Sequence, residues 1–279
     1  MVHTMRNHSK KPRYFVHSLS KGLSVLKAFA EAHRSLTLSE IANITGTSKT
    51  TATRFCHTLV ELGFIHRDSQ RRYQPTPKVL TLGYSFISVS DWREVAQYYL
   101  ECLSEETQAT ANLSILEGNE ILYVIRIRKK KYLPFDVQIG SKFPVYCTAM
   151  GKVLMGMGPP EKIEPILKTL EFKPLTGRTI TRLDKFLKEL EKVRAMGYGI
   201  NDEELSIGNR ALAAPVLDKN GYAVAAVNIA VPTTEYSRSQ MEKTLAPGVI
   251  RRAQEISEAL IKIEAPLVMG GQSGPLWQP

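Results

Sequence analysis

The chain has 279 residues, of which 43% are hydrophobic and 23% are charged. It is therefore long enough for one or two domains with a buried core, and its composition is that of a globular protein. The formal net charge is +10, and the first 90 residues carry most of it, with 13 Lys or Arg against 4 Asp or Glu. This concentration predicts a polyanionic partner for the N-terminal third, although a basic surface without such a partner has the same charge.

The three cysteines and the hydropathy pattern exclude several classes of protein. Cys56, Cys102 and Cys147 lie far apart and form no CxxC pair, so we expect neither a disulfide framework nor a metal site. We interpret them as apolar fillers in a reducing cytoplasm, and no motif indicates a cofactor. No apolar run reaches the roughly 18 residues of a membrane span, and the basic N-terminus lacks the apolar segment of a signal peptide. We therefore expect a cytoplasmic protein with no membrane partner.

The N-terminal elements follow the order of a winged helix-turn-helix. Residues 16–32 repeat leucine at three- and four-residue spacing from Leu19 and Leu23 onward, which predicts one amphipathic helix. Thr37 with Glu40 predicts a capping box for a short second helix, and a third helix is expected in "SKTTATRFCHTLVELGF" after a turn. The segment "GFIHRDSQRRYQPTP" alternates around a turn and predicts a small hairpin. Three helices followed by a hairpin indicate a winged DNA-binding domain.

The third predicted helix begins with more hydroxyl and basic side chains than capping requires. Either Thr47 or Ser48 would suffice as the N-cap. A helix in the major groove contacts DNA mainly through its N-terminal turns, where hydroxyl, Lys and Arg groups meet phosphates and base edges. The alternative is a capped, solvated helix, and for the hairpin a solvated turn. The spacing predicts a buried face of Ala52, Phe55, Leu59 and Leu62. The candidate DNA contacts are Ser48, Lys49, Thr50, Thr51, Arg54, His57, Arg67, Arg71 and Arg72.

Strand patterns appear from about residue 110 onward. Two hairpins are predicted, one turning at Gly118–Asn119 and one turning at residues 218–221. The segment "FDVQIG" predicts one further strand. Strands that form hairpins belong to antiparallel sheets.

Helical patterns alternate with these strands. Residues 78–91 and 92–108 have helical spacing, and "CTAMGKVLMGM" predicts a helix after Pro144. The segment "LDKFLKELEKVRAMG" predicts an amphipathic helix that ends at Gly197, and residues 245–263 predict a long final helix. The mixture predicts an α+β module built on an antiparallel sheet.

Several segments together resemble one family of regulators. "SLSKGLSVLKAFAEAHRSLTLSEIANITGTSKTTATRFCHTLVELGFI", "FPVYCTAMGKVLMG" and "VRAMGYGINDEELSIGNRALAAPVLDKNGYAVAAVNIAVP" resemble the signature segments of the IclR-type transcriptional regulators. Within the family, "VQIGSKFPVYCTAMGKVLM" is most similar to the regulators of protocatechuate and 4-hydroxybenzoate breakdown. The resemblance implies a winged helix-turn-helix, a linker helix used in dimerisation and a GAF-like effector domain. The expected boundaries are a basic arm at 1–14, the DNA-binding domain at 15–77, the linker helix at 78–91, the effector domain at 92–265 and a flexible tail at 266–279.

The expected effector pocket combines a helix N-terminus with family positions. Thr148 is predicted to cap the helix after Pro144, which leaves the amides of Ala149, Met150 and Gly151 available to a carboxylate. An ordinary capped helix is the alternative. Asn228 lies in an apolar strand, so if buried it needs a partner, either a backbone group or a ligand. The resemblance implies that the pocket also involves Phe135, Asn201, Ala211, Asn228 and Ala230.

The preferred hypothesis is a sequence-specific transcriptional regulator of an aromatic-compound catabolic operon. It is expected to read a pseudo-palindromic operator in double-stranded DNA as a homodimer or tetramer. A small organic acid, expected to be aromatic, would control it. The alternatives are an architectural nucleic-acid-binding protein without a ligand and an enzyme acting on a small acid. The sequence has no phosphate loop, HExxH or GxSxG motif, so we expect no enzyme.

Overall fold

The computed structural model describes residues 14–88, 91–129 and 137–263. The chain forms two compact units, and the division falls between Val89 and Ser90. Among the described helices, none has the length and apolar character needed to cross a bilayer. Phe135, one of the expected pocket residues, lies outside the described residues.

The first unit is a winged helix-turn-helix, as predicted. Its central strand β3 pairs antiparallel with β2 on one side and with the short strand β1 on the other. Strand β1 has only two residues, which is too short for an alternation to be visible in the sequence. The elements are α1 (His17–Ala32), β1 (Leu36–Thr37), α2 (Leu38–Ile44), α3 (Lys49–Glu61), β2 (Ile65–Arg67), β3 (Arg72–Pro75) and α4 (Val79–Ser88).

The capping box predicted at the start of α2 is confirmed. Thr37 Oγ1 accepts a hydrogen bond from the Glu40 amide at 3.3 Å, and the Glu40 carboxylate accepts one from the Thr37 amide at 2.8 Å. The Arg34 guanidinium, with help from Thr37, holds the pKa of Glu40 down at about 2. The reciprocal bonds satisfy two amides at the helix start and define where α2 begins.

The buried face of α1 differs from the leucine stripe in the sequence. Val25, Ala28 and Phe29 are buried in the core of the first unit. Leu19 and Leu23 are 62% and 48% exposed in the single chain. The core of so small a unit covers only the second half of the helix.

The second unit is an α+β domain with a six-stranded sheet in the order β6-β5-β4-β9-β8-β7, and every neighbouring pair is antiparallel. Both predicted hairpins are confirmed as β4–β5 and β8–β9. The elements are α5 (Asp91–Thr107), β4 (Thr110–Glu117), β5 (Glu120–Ile127), β6 (Lys142–Pro144), α6 (Ala149–Met157), α7 (Pro160–Thr169), α8 (Leu183–Met196), β7 (Gly199–Asp202), β8 (Asn209–Leu217), β9 (Ala223–Pro232), α9 (Arg238–Thr244) and α10 (Ala246–Lys262).

Helices cover both faces of this sheet. Helices α5 and α10 pack on one face through residues such as Leu100 and Ile256. Helix α6 packs on the other face, with α8 behind it, and there the sheet presents mainly alanines, including Ala213 and Ala226. Small side chains let the helix approach the sheet closely: a Cβ on Gly199 would lie 2.9 Å from the Ala149 carbonyl oxygen. The N-terminus of α6 is therefore held just above the sheet.

One predicted strand is wrong. In "FDVQIG", the described residues 137–140 form no strand, and β6 follows at Lys142–Pro144 instead. A tight turn precedes β6, because the Ser141 amide donates to the Gln138 carbonyl at 3.0 Å and Gly140 has a φ of +91°. The predicted helices α6, α8 and α10 are present, and Gly197 ends α8 in the left-handed conformation as expected.

Candidate functional sites

The first candidate site is the start of α3, where Ser48 is the N-cap. Its hydroxyl accepts a hydrogen bond from the Thr51 amide at 3.2 Å. Thr47 is occupied elsewhere, since its hydroxyl lies 2.9 Å from that of Thr45. One hydroxyl is therefore enough to cap the helix, as expected.

The buried face of α3 consists of Ala52, Cys56 and Leu59, with Phe55 half-buried beside it. Leu62 was predicted to be buried but is 52% exposed, because α3 ends at Glu61 and the chain turns away there. Burial raises the pKa of the Cys56 thiol to about 11. The thiol stays protonated, which agrees with an apolar filler.

An exposed basic edge remains on the other side of α3. Within the described part of the chain, Lys49, Thr50 and Arg54 are exposed and their side chains make no hydrogen bond or ion pair. The hydroxyl of Thr53 is less available, because it donates to the Lys49 carbonyl at 2.8 Å. His57 is also exposed and lies 4.0 Å from the Glu61 carboxylate. The chain thus leaves two cations and one hydroxyl unpaired along the first two turns.

The arginines of the hairpin divide into two kinds. Arg71 is exposed at the turn with a φ of +61°, and the exposed Arg67 lies 5.5 Å above the ring of Tyr73. Arg72 points inward, because its guanidinium donates to the Ser35 carbonyl at 2.7 Å and to the Ser35 hydroxyl at 3.0 Å. Arg67 and Arg71 are thus both at the surface, whereas the bonds of Arg72 hold β3 against the segment before β1.

The second candidate site lies in the second unit, between the sheet and the start of α6. Strand register places Arg126, Asn112 and Asn228 directly opposite one another on β5, β4 and β9. The cavity above them has about 360 Å³ of empty space, open solvent at its mouth included. The lining residues are Asn112, Tyr123, Arg126, Val137, Thr148, Ala149, Asn201, Leu205, Asn209, Ala211, Asn228 and Ala230.

The row of Arg126, Asn112 and Asn228 forms a directed chain of hydrogen bonds. Arg126 Nη1 donates to Asn112 Oδ1 at 2.9 Å, and Asn112 Nδ2 donates to Asn228 Oδ1 at 2.8 Å. Because a guanidinium only donates, it determines the orientation of both amides. The Asn228 Nδ2 group is left as a donor at the cavity. The partner of the Asn228 oxygen is therefore a side chain, which was not among the partners considered from the sequence.

The start of α6 adds further donors. Thr148 caps the helix, since its hydroxyl accepts from the Gly151 amide at 3.1 Å. The cap does not use the amides of Ala149 and Met150, so they remain as possible donors to a ligand. The helix dipole also makes this end of α6 attractive to anions. Gly151 itself is required by packing, because a Cβ there would lie 2.3 Å from the Val145 carbonyl oxygen.

Tyr123 contributes a hydroxyl to the lining. Burial raises the pKa of Tyr123 well above its usual value, and Arg126 opposes this only in part. The phenol therefore stays protonated and can donate a hydrogen bond. Together with the guanidinium and the amides, it makes the lining rich in donors, which suits a small anion.

Six of the expected pocket residues line this cavity: Thr148, Ala149, Asn201, Ala211, Asn228 and Ala230. Met150 does not, because it is buried in the core with its sulfur accepting from the Ser114 hydroxyl at 3.1 Å. Gly151 does not line it either. Sequence reasoning missed the lining residues Asn112, Tyr123, Arg126, Val137, Leu205 and Asn209. For Asn112 and Arg126 the available signal was a polar residue within an apolar strand, whereas Val137 and Leu205 are apolar loop residues without a signal.

A buried ion pair lies behind the cavity wall. Lys152 of α6 is fully buried, and its ammonium lies 2.5 Å from a Glu204 carboxylate oxygen, 2.7 Å from the Ile200 carbonyl and 3.6 Å from Glu189. The Glu204 amide donates to Asn201 Oδ1 at 2.8 Å. The pair thus joins α6 to the segment that carries the lining residue Asn201.

The side chains of the described residues around the cavity do not form the ligand sets that metal ions require. The described residues contain no group of three His, Cys, Asp or Glu side chains that could hold a metal ion. Burial raises the pKa of the nearby Cys147 thiol to about 12, so it stays protonated. The described cavity therefore offers hydrogen-bond donors and positive charge.

Comparisons with known families match both units. The helix-turn-helix domain of IclR matches residues 18–69, and the C-terminal domain of the bacterial transcriptional regulator IclR matches residues 84–258. The two matches together span most of the described chain.

Individual proteins give the same picture. The Pca regulon regulatory protein of Pseudomonas putida is 32% identical over 247 residues, 88% of this chain and 84% of that protein. The p-hydroxybenzoate hydroxylase transcriptional activator of Acinetobacter baylyi is 28% identical over 261 residues, 92% of this chain and 96% of that protein. An IclR homologue from Microbacterium hydrocarbonoxydans, crystallised with 4-hydroxybenzoate, has the same fold at 20% identity, with a TM-score of 0.72 over 88% of this chain and 99% of that chain.

Proposed function

Because the chain belongs to the IclR family of bacterial transcriptional regulators, we propose that a small aromatic acid, bound beside the N-terminus of α6, controls its binding to operator DNA. The single observation that carries the proposal is the donor-rich cavity that Arg126, Asn112 and Asn228 form opposite that helix end. Regulation follows if the acid favours one arrangement of the DNA-binding units over another.

The basic edge of α3 supports direct reading of DNA. Lys49, Thr50 and Arg54 are exposed at the end of the helix that enters the major groove in helix-turn-helix proteins. Arg67 and Arg71 on the hairpin would contact the backbone or the minor groove. Ser48, Thr51 and His57 are proposed as further contacts, whereas Arg72 is proposed to position the hairpin.

The second unit supports an aromatic acid as the effector. The cavity combines its donors with apolar side chains, including Val137, Leu205 and Ala230, which suit a ring. One relative is named as an activator for p-hydroxybenzoate hydroxylase, and a protein of the same fold was crystallised with 4-hydroxybenzoate. The relatives are transcriptional regulators, which favours regulation over an enzymatic activity.

We further propose a homodimer, or a tetramer built from two such dimers. Two α3 helices related by a two-fold axis would lie about 34 Å apart and read the half-sites of a pseudo-palindrome. Exposed apolar side chains on α4, including Leu80 and Tyr84 at 74% and 65% exposure, suit a helix that packs against a second copy.

Replacing Arg54 with alanine is expected to weaken operator binding by about 10- to 100-fold while changing binding to random DNA far less, because a base contact is worth about 1–3 kcal/mol. Fluorescence anisotropy with labelled operator and random duplexes measures both affinities. The matched control is Lys219→Ala, which removes one positive charge from an exposed turn of the second unit. An equal loss on both duplexes for Arg54→Ala would argue against base reading by this side chain.

The acid is tested by a thermal-shift screen of the full chain with millimolar benzoate, 4-hydroxybenzoate and hexanoate. An aromatic acid at 10 to 100 times its Kd should stabilise the protein by about 1–3 kcal/mol, and hexanoate should do less. The absence of any shift with the aromatic acids would favour the ligand-independent architectural alternative.

A further inference from the structure

We propose that Asn209 recognises a hydroxyl group at the end of the effector opposite its carboxylate, so that the regulator discriminates hydroxylated aromatic acids from the unsubstituted acids. This inference rests on the proposed binding of an aromatic acid and adds the residue that sets its specificity. It starts from a buried acceptor in the cavity wall.

Asn209 is the lining residue with an unsatisfied buried oxygen. The residue is 2% exposed, and within the described chain its Oδ1 atom is buried without a hydrogen-bond partner. In contrast, the side-chain oxygens of Asn112 and Asn228 accept hydrogen bonds from their neighbours in the row. A buried amide oxygen without a partner is unfavourable, and a donor supplied by a ligand would remove that cost.

Asn209 lies well away from the donors along the sheet. Asn228 pairs with Ala213 on β8, and Asn209 precedes Ala213 by four residues on the same strand. Residues 209, 211 and 213 therefore share one face, and four residues of strand correspond to about 13 Å. Ala211 lies between them, and its methyl side chain fills little of the space above the strand. A ligand bonded at both ends must therefore bridge this separation together with the side chains of the two ends.

The chemistry of the two ends assigns the direction of the ligand. A carboxylate has only acceptors, so it belongs with the guanidinium of Arg126, the Asn228 Nδ2 group and the amides at the start of α6. The Asn209 oxygen would repel the carboxylate but would accept a hydrogen bond from a hydroxyl group. A hydroxyl para to the carboxylate reaches the far end, whereas a hydroxyl ortho to it stays among the donors. The expected effectors are therefore para-hydroxylated aromatic acids.

The test compares 4-hydroxybenzoate, benzoate and 2-hydroxybenzoate by isothermal titration calorimetry with the full chain. Wild-type protein should bind 4-hydroxybenzoate about 10- to 100-fold more tightly than benzoate, since a buried acceptor left unpaired is costly. Asn209→Leu, which keeps the bulk and removes the amide, should bring this ratio close to one. Asn209→Ala should also bring the ratio of the two affinities close to one, and it replaces the leucine variant if that variant folds poorly. Asn220→Leu, in an exposed turn, should leave the ratio unchanged.

The outcomes separate this inference from the proposed function. If both acids bind and the ratio is the same in wild type, Asn209→Leu and Asn209→Ala, Asn209 does not read the hydroxyl and the inference is overturned. It is also overturned if 2-hydroxybenzoate binds as tightly as 4-hydroxybenzoate. If no aromatic acid binds wild-type protein at all, the proposed effector class is wrong and the role of Asn209 fails with it.

Discussion

Replacing Arg126 with methionine is expected to weaken the binding of an aromatic acid by about 100-fold, because hydrogen bonds to charged groups contribute about 1.5–3 kcal/mol each. Arg126 acts in two ways. Its guanidinium brings positive charge to the cavity lining, and its bond to Asn112 Oδ1 at 2.9 Å orients the amide chain that ends at Asn228. In the variant nothing fixes the orientation of the two amides, so Asn228 can present its oxygen instead of its nitrogen to the carboxylate.

Calorimetry with 4-hydroxybenzoate measures this effect, and Arg128→Met is its matched control. Arg128 follows the end of β5, is exposed and does not line the cavity, so its loss should change the affinity by less than a factor of three. The thermal stability of both variants is measured in parallel. A folded Arg126→Met protein that binds the acid as tightly as wild type would contradict the assigned site.

Replacing Lys152 with methionine is expected to destabilise the second unit by about 3–5 kcal/mol, since removing one partner of a buried pair leaves the other charge uncompensated. Glu204 is 7% exposed and its second carboxylate oxygen already has no hydrogen-bond partner within the described residues. Without Lys152, that carboxylate must take up a proton or open the structure to water. Urea unfolding followed through Trp92, which is buried in the core of this unit, measures the loss.

The double variant Lys152→Met with Glu204→Gln makes the test specific. Removing both charges should recover a large part of the stability, so the effects of the two single substitutions should not add. Lys168→Met, on the exposed side of α7, is the matched control and should stay within about 0.5 kcal/mol of wild type. A loss for Lys152→Met no larger than that of Lys168→Met would show that the ion pair contributes little.

The helices of the first unit were predictable because their signals are local. Thr37 and Glu40 form the capping box that their spacing predicted, and the hydroxyl-rich start of α3 is capped by a single residue, Ser48. The choice between Thr47 and Ser48 depended on a contact with Thr45, which the pattern does not contain. Leu62 failed as a core prediction because helical spacing does not reveal where the helix ends.

The row of Arg126, Asn112 and Asn228 could not be predicted from the sequence, and the reason is physical. A regular hairpin turning at Gly118–Asn119 pairs Ser114 with Tyr123, and on that register Asn112 would face Ile125. A bulge between Leu113 and Ser114 shifts the register by one residue and places Asn112 opposite Arg126. Because a one-residue shift changes every later pair, the polar row depends on an irregularity that alternation does not reveal.

Long-range pairing accounts for the other missed residues. Asn112 and Asn228 are 116 residues apart in the chain yet share a hydrogen bond. Lys152 and Glu204 belong to segments 52 residues apart. The predicted cap at Thr148 located the helix end correctly, but only the sheet order shows which strands lie beneath it.

The most direct test of the whole account is the affinity for operator DNA with and without saturating 4-hydroxybenzoate, measured side by side in wild type and Arg126→Met. We predict that the acid changes the operator affinity of wild type by at least about fivefold, the lower end of typical allosteric coupling. We predict no change in Arg126→Met, whose affinity without acid should equal that of wild type. The proposed regulation would be contradicted if the acid does not change the operator affinity of wild type, or if it changes the operator affinity of both proteins equally.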